Sequence, residues 1–194
     1  MRTITRLSIQ SPPMDDSQLA TQAHTDAEAF AELYRRHVTR VYRYHMAHTG
    51  NVKDVEDLTS QTFMAALESI RSFRGTGSFA AWIMGIACHK RFLFFRSHKR
   101  SEVPLDAALE LPDTKLPTDM AALRHMQLDQ LRGALRSVSP DRLEAIALCY
   151  FAGLDCSEAG RVLGKSEAAV KMLLSRGLQD LRTRTSLSLE AQDE

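Results

Sequence analysis

Aromatic and cationic side chains are interleaved between residues 71 and 100. This segment holds seven Lys and Arg residues, no Asp or Glu, and six of the chain's 13 aromatic residues. Aromatic rings stack on unpaired bases for about 1–3 kcal/mol each, and cations attract phosphates. A duplex hides the faces of its bases, so the composition favours contact with DNA strands that are open or being opened. The aromatic residues are Phe73, Phe79, Trp82, Phe92, Phe94 and Phe95.

A structural role is the alternative for part of this segment. Phe79, Ile83 and Ile86 recur at helical spacing, which favours packing in a core, whereas Trp82 fits either role. The three phenylalanines within 92–95 cannot share one helical face. At least one of them is therefore expected to be exposed or to contact a partner.

Residues 52–63, VKDVEDLTSQTF, form a second candidate surface. Acidic side chains stand beside apolar and amide ones at helical spacing, a pattern suited to docking on another protein. A solvated face opposite a core stripe would give the same pattern. The candidate docking residues are Asp54, Glu56, Asp57, Leu58, Gln61 and Phe63.

Residues 157–176 have the proportions of a helix-turn-helix: a short helix capped by Ser157, a turn at Gly164 and a longer helix capped by Ser166. Packing of the apolar sides of both helices would leave the other face of the second helix free for a major groove. A helical hairpin with a solvated charged face is the alternative. The free face is expected to carry Ser166, Glu167, Ala168, Lys171, Met172, Ser175 and Arg176.

Helical periodicity and capping residues predict the elements that position these surfaces. Thr25 and Glu28 have capping-box spacing ahead of one helix, Gly50 ends it, Asn51 caps the next, and Ser78 caps a third. Residues 1–24 are polar and aperiodic, which predicts a disordered tail.

The second half of the chain begins with a predicted linker. Residues 101–120 contain three prolines and five acidic residues against one Lys. Helical pattern resumes near Leu123, and a new helix is expected to start at Ser139-Pro140. The predicted fold is all-α, with two small helical domains over 25–100 and 121–185, a flexible acidic linker and a tail over 186–194.

Several function classes are disfavoured by the composition. The chain has no apolar run long enough to cross a membrane and no signal peptide, and its three cysteines show no CxxC spacing. The seven histidines form no HExxH, and no glycine-rich phosphate loop is present. His45 and His48 have metal-ligand spacing without a third ligand. A cytoplasmic protein without enzyme activity, catalytic residues, metal or cofactor is expected.

Four stretches together resemble the extracytoplasmic-function (ECF) class of bacterial RNA polymerase sigma factors. FAELYRRHVTRVYRY, VEDLTSQTF and SFRGTGSFAAWIMGIA are similar, in order and spacing, to sigma region 2. ALRSVSPDRLEAIALCYFAGLDCSEAGRVLGKSEAAVKMLLSRGLQDLR is similar to sigma region 4. The resemblance covers roughly residues 28–100 and 121–183, which is most of the chain.

The resemblance implies a partner for each surface. Region 2, with the docking residues of 54–63, would bind the β′ clamp helices of core RNA polymerase. Region 4 would approach the β flap and read the minus-35 element of duplex promoter DNA with the residues of 166–176. An anti-sigma factor is a further implied partner. The residues implied for the minus-ten element and the melted non-template strand are Arg71, Arg74, Ser78, Phe79, Trp82, His89, Lys90, Arg91 and Arg96.

The chain departs from the family pattern at His89, where Asn is usual, at Leu93, where Asp is common, and at Met172 in the recognition helix. These departures leave the minus-ten and minus-35 preferences open. Two alternatives also stay open: a stand-alone helix-turn-helix regulator that binds DNA without polymerase, and a decoy that binds polymerase without melting DNA.

Overall fold

The computed structural model describes residues 14–98, 133–135 and 137–190, and every regular element within them is helical. The predicted linker and the predicted onset of helix near Leu123 lie outside these residues. The all-α class and the division into two helical units are confirmed.

The first unit is a bundle in which α2, α3 and α4 pack around one core. Gly50 ends α2 with φ 68°, and the Asn51 side chain accepts from the backbone N–H groups of Lys53 and Asp54, as predicted. The cap of α2 is Asp26 and not Thr25, because the Asp26 carboxylate accepts from the Glu28 N–H at 2.9 Å. The elements are α1 Asp16–Gln22, α2 Ala27–Thr49, α3 Val52–Ser69, a 3-10 turn Ile70–Ser72 and α4 Phe79–His98.

Helix α1 corrects the predicted disordered tail over residues 16–22. Asp15 and Gln18 form a capping box, and Leu19 and Ala20 are buried in the core. Asp16 also pairs with Arg36 and His37 of α2, at 3.0 and 2.7 Å. The helix is too short to be stable alone and is held by this packing on α2.

The second unit is built around the helix-turn-helix. The helix that begins at Pro140, after Ser139, is confirmed. The elements are α5 Pro140–Ile146, a π-helical turn Ala147–Phe151, α6 Cys156–Leu163 and α7 Glu167–Glu190.

One capping expectation for this unit is wrong, and the last helix extends past a predicted boundary. The cap of α6 is Asp155 and not Ser157, since Asp155 and Glu158 form a reciprocal capping box. Helix α7 continues to Glu190, into the predicted tail over 186–194, because no Gly or Pro follows Gly177 to end it.

The two units pack against each other. Helix α4 contacts α6, and α2 contacts the π-helical turn. A single hydrophobic cluster includes Leu33, Ile83 and Met84 of the first unit and Leu148 and Val170 of the second. The sequence predicts two domains but not this shared core. None of the helices that the structure describes is long and apolar enough to cross a membrane.

Candidate nucleic-acid interface

A tight turn sets the angle between α6 and α7. Gly164 ends α6 in the left-handed conformation with φ 63°, and Ser166 Oγ accepts from the Ala169 N–H at 3.2 Å. A Cβ at Gly160 would lie 2.7 Å from the Lys165 carbonyl oxygen. The backbone at Lys165 can therefore approach α6 this closely only because residue 160 is a glycine. Gly160 was not recognised in the sequence, because the close approach comes from the fold.

The face of α7 proposed for DNA is free in the structure. All seven predicted residues are exposed, and buried Val170 on the opposite side packs in the core. Lys171 Nζ lies 2.6 Å from Glu167 Oε1 one turn earlier, and this hydrogen bond raises the pKa of Lys171. The helix therefore presents two exposed cations, Lys171 and Arg176, and Lys171 is paired with Glu167 of the same helix.

The predicted minus-ten residues divide by exposure. Phe79 is only 1% exposed and belongs to the core, which corrects its assignment as a contact residue. Trp82 is half-buried in a cluster with Phe73 and Phe79, with ring centroids 5.6 and 5.3 Å from its own. Arg71, Arg74, His89 and Arg96 are exposed, whereas Ser78, Lys90 and Arg91 are half-buried.

One phenylalanine of the 92–95 group is exposed, as the periodicity requires. Phe92 is 57% exposed, and the guanidinium carbon of Arg96 lies 5.8 Å from its ring centre. This distance is within cation–π range. The outer part of α4 thus keeps an aromatic ring and a cation on the surface, next to exposed His89.

The acidic docking face is only partly as predicted. Leu58 and Phe63 are 0% and 5% exposed and pack inward from α3, so Leu58 cannot be a contact itself, and Phe63 reaches the surface only where it lines a groove. Glu56, Asp57 and Gln61 are exposed, and Asp54 is half-buried. The buried pair fixes which side of α3 the acidic side chains occupy.

An apolar groove of about 520 Å³ lies beside these acidic residues, between α2 and α3. Its exposed apolar rim is made by Tyr34, Met64 and Leu67, of which Met64 is 61% exposed. The sequence pattern does not predict this groove. The sequence feature that could have indicated the groove is the apolar character of Met64 and Leu67 on the outer side of α3.

The face between the units carries a buried polar cluster centred on Glu144 of α5. Its Oε1 accepts from the Tyr44 hydroxyl at 2.6 Å, and its Oε2 lies 2.6 Å from Arg91 Nη2. Arg91 Nε donates to the Tyr44 oxygen at 2.9 Å. Burial raises the pKa of Tyr44 well above its usual value and raises that of Cys88 to about 12.

The two histidines with metal-ligand spacing are structural. His45 Nε2 lies 3.1 Å from Thr62 Oγ1, and burial lowers its pKa to about 3. His48 Nε2 lies 3.4 Å from Glu144 Oε2 without hydrogen-bond geometry, and burial first, then Arg91, lowers its pKa well below the usual value. Within the described ranges no group of three or more His, Cys, Asp and Glu side chains could hold a metal ion.

The fold and the exposed second helix define a helix-turn-helix DNA-binding protein. Residues 33–101 match the family model "Sigma-70 region 2", and residues 128–181 match "Sigma-70, region 4". The chain is 34% identical to the ECF RNA polymerase sigma factor BldN of Streptomyces coelicolor over 80% of its length and 60% of that protein's. It is 30% identical to SigE of Mycolicibacterium smegmatis over 84% and 64% of the two chains.

A third relative is matched over most of its length. RNA polymerase sigma factor CarQ of Myxococcus xanthus is 30% identical over 80% of this chain and 88% of that protein. The chain belongs to the sigma-70 family of RNA polymerase sigma factors, in the ECF group. It spans less than two thirds of the length of BldN and of SigE.

Solved structures have the same fold. CnrH, in complex with the cytosolic domain of CnrY, matches with a TM-score of 0.67 and 25% identity over 91% of this chain and 97% of that one. RpoE of Bartonella quintana, in complex with the anti-sigma factor NepR, matches with a TM-score of 0.67 and 21% identity over 81% and 96%. Both likenesses include the two helical units.

Proposed function

We propose that this chain is a transcription initiation factor that binds core RNA polymerase, recognises promoter minus-35 and minus-ten elements and promotes opening of the DNA. The observation that carries the proposal is the exposure of the whole predicted face of α7 on a chain whose other unit presents exposed cations beside half-buried Trp82. Neither surface requires covalent chemistry, and we propose no enzymatic activity.

The minus-35 element would be bound as duplex by α7. Lys171 and Arg176 are the side chains able to read a guanine edge or hold a phosphate, and Met172 adds an exposed apolar contact. Exposed Met172 suits the thymine methyl group or a sugar better than a polar base edge.

The minus-ten element would be bound as a separated strand by the first unit. Arg71, Arg74 and Arg96 are exposed for phosphates, and Phe92 and Trp82 offer aromatic surface. The ring of buried Phe79 packs against the ring of Trp82. Trapping flipped bases on such a surface offsets an unstacking cost of a few kcal/mol per base.

Core polymerase would dock on α3. The acidic residues Glu56 and Asp57 with Gln61 form its polar part, and the neighbouring groove rimmed by Tyr34 and Met64 adds apolar area. An apolar centre with a charged rim is the usual composition of a protein interface. The second unit, which would bind the minus-35 element, would approach the β flap on the same chain. Once the first unit is bound, the contact of the second unit with DNA is therefore intramolecular.

An anti-sigma factor is the further partner we propose. It rests on the family and on the Bartonella RpoE structure, which is a complex with the anti-sigma factor NepR. The proposed location is the cytoplasm, where polymerase acts.

The deciding experiment is run-off transcription with purified chain and core polymerase on a library of promoters. Specific transcripts that require both components support the proposal. Tight core binding without any specific transcript would identify a decoy, and a DNA footprint without polymerase would identify a stand-alone regulator.

A charge reversal tests the docking face within the same assay. Asp57→Lys should weaken core binding about tenfold because it removes an exposed anion from the docking face. The control is Glu28→Lys, the same charge change at an exposed residue of α2 outside the predicted docking set. Equal core affinity of the two variants would place docking elsewhere.

A further inference from the structure

Glu144 of the second unit is held almost entirely by groups of the first unit. It is 8% exposed, and its two carboxylate oxygens contact Tyr44, Cys88 and Arg91, with the Cys88 thiol donating at 3.3 Å. Tyr44 is fully buried. A carboxylate in such surroundings is stable only while these donors remain in place.

Glu158 of α6 makes a second contact of the same kind. The Ser78 hydroxyl donates to Glu158 Oε1, while the other carboxylate oxygen of Glu158 accepts from the Asp155 N–H at 3.1 Å. Ser78 at the same time caps α4 by accepting from the Ala81 N–H. Next to it, the Arg161 guanidinium lies within 4 Å of the position that a Cβ on Gly77 would occupy.

Both carboxylates therefore bind residues that are proposed to contact the minus-ten strand. A carboxylate offers a guanidinium or a hydroxyl the same charged oxygen acceptors that a DNA phosphate offers. Arg91 forms an ion pair with Glu144 and donates a hydrogen bond to Tyr44, and Ser78 donates its one proton to Glu158. Neither group can serve a phosphate fully while these bonds exist.

We propose that Glu144 and Glu158 form an intramolecular latch that holds the second unit over the minus-ten face in place of DNA. The latch rests on the proposed function, since its occupants are the proposed minus-ten residues Ser78 and Arg91. The recognition face of α7 points away from this contact and stays exposed. The latch therefore closes the free chain toward separated strands.

Opening of the latch separates two sets of groups that water can solvate. When the units part, the charged groups Glu144 and Arg91 regain solvent, so no buried charge is left without a partner. Truncation of one partner in the closed state is different, because it leaves the other buried and unpaired. Polymerase, by binding each unit at its own site, would supply the free energy for the separation.

The test compares the full-length variants Glu144→Gln, Glu158→Gln and their combination with Glu68→Gln. Glu68 is exposed on α3, and its substitution removes the same charge without touching the contact between units. Small-angle X-ray scattering measures the separation of the units. Fluorescence anisotropy measures binding of a labelled mixed-sequence single-stranded DNA oligonucleotide in the absence of polymerase.

The double variant should show a larger radius of gyration than Glu68→Gln and should bind the single strand about tenfold more tightly. An unchanged radius overturns the latch, and so does an increased radius without tighter binding. Glu158→Gln, at the edge of the contact, keeps the test valid if Glu144→Gln does not fold, which circular dichroism reports. A chain that passes this test but yields no run-off transcript keeps the latch and loses the proposed initiation role.

Discussion

Two buried imidazoles make the free energy of unfolding depend on pH. His45 is fully buried with its pKa lowered to about 3, and the pKa of His48 lies well below its usual value. In the unfolded chain a histidine binds its proton near pH 6.5, whereas folded His45 binds it only near pH 3. Protons therefore favour the unfolded state as the pH falls below about 6.5.

The expected loss of stability is about 1.4 kcal/mol per pH unit for each such histidine between these limits. Urea unfolding at pH values from about 7.5 down to about 5 measures it. His45→Asn should reduce the slope, and His89→Asn, which removes an exposed imidazole, is the control. Equal slopes for wild type and His45→Asn would contradict the prediction.

Gly160 limits the geometry of the turn between α6 and α7. Gly160→Ala brings a Cβ to 2.7 Å from the Lys165 carbonyl oxygen, a backbone atom that cannot move aside without opening the turn. A destabilisation of about 1–3 kcal/mol is expected, together with weaker duplex binding. Gly85→Ala is the matched control, because nothing lies within 4 Å of a Cβ there and alanine favours the helix. Thermal unfolding followed by circular dichroism distinguishes the two, and equal melting temperatures would disprove the close contact.

The sequence predicts which kind of contact a side chain can make better than it predicts whether that side chain is exposed. Leu58 and Phe63 alternate with Asp57 and Gln61, and periodicity alone does not say which members of an apolar and acidic stretch face the core. The structure places both apolar residues inside. Phe79, the first large residue of α4, is also buried, where α4 packs against α2.

The exposed cations of helix α7 allow a test of the proposed minus-35 contacts. Lys171→Ala and Arg176→Ala should each weaken holoenzyme binding to duplex DNA bearing the minus-35 element by about 1–3 kcal/mol and relax the base preference at one position. Gln179→Ala, an exposed residue of the same helix outside the predicted set, is the control. Gel-shift titrations on duplexes with single base changes measure the effect. Loss of affinity that is the same on every sequence would assign that side chain to phosphate instead.

Caps and periodicity predicted most of the helices. Gly50, Asn51 and Ser166 act as expected because each supplies a turn conformation or a side-chain acceptor locally. Helix α1 was not predicted because its stability comes from α2, through Asp16 and Leu19. The caps Asp26 and Asp155 each lie within two residues of the predicted Thr25 and Ser157, so neighbouring side chains with similar acceptors were confused.

The packing of the two units is the feature furthest from what a sequence pattern can predict. The Tyr44–Glu144 hydrogen bond joins residues 100 positions apart, and neither its geometry nor its burial follows from either helix alone. Glu144 and Arg91 are residue types that would be equally common on two solvent-exposed helix faces. Only the shared core around Leu148 forces these charges inside.

We expect the shared core to hold the two units together. Leu148 is fully buried in the π-helical turn that packs against α2, within the cluster common to both units. Leu148→Ala should cost about 2–5 kcal/mol and uncouple the units, so that a single calorimetric transition becomes two and the radius of gyration rises.

Leu135→Ala is the control for this change. Leu135 is buried in a second cluster, with Val138 and Ile146, that lies wholly in the second unit. Its truncation should lower the stability of that unit by a similar amount without separating it from the first. If Leu148→Ala unfolded in one transition at the wild-type radius, the contact between the units would depend on its polar cluster and not on the apolar core. Because Glu144 and Arg91 exchange water for each other on closing, the intact pair adds little net free energy, and we expect the apolar core to supply most of the stability of the closed form. Loss of the Glu144 charge still favours opening, because it leaves Arg91 buried without its partner.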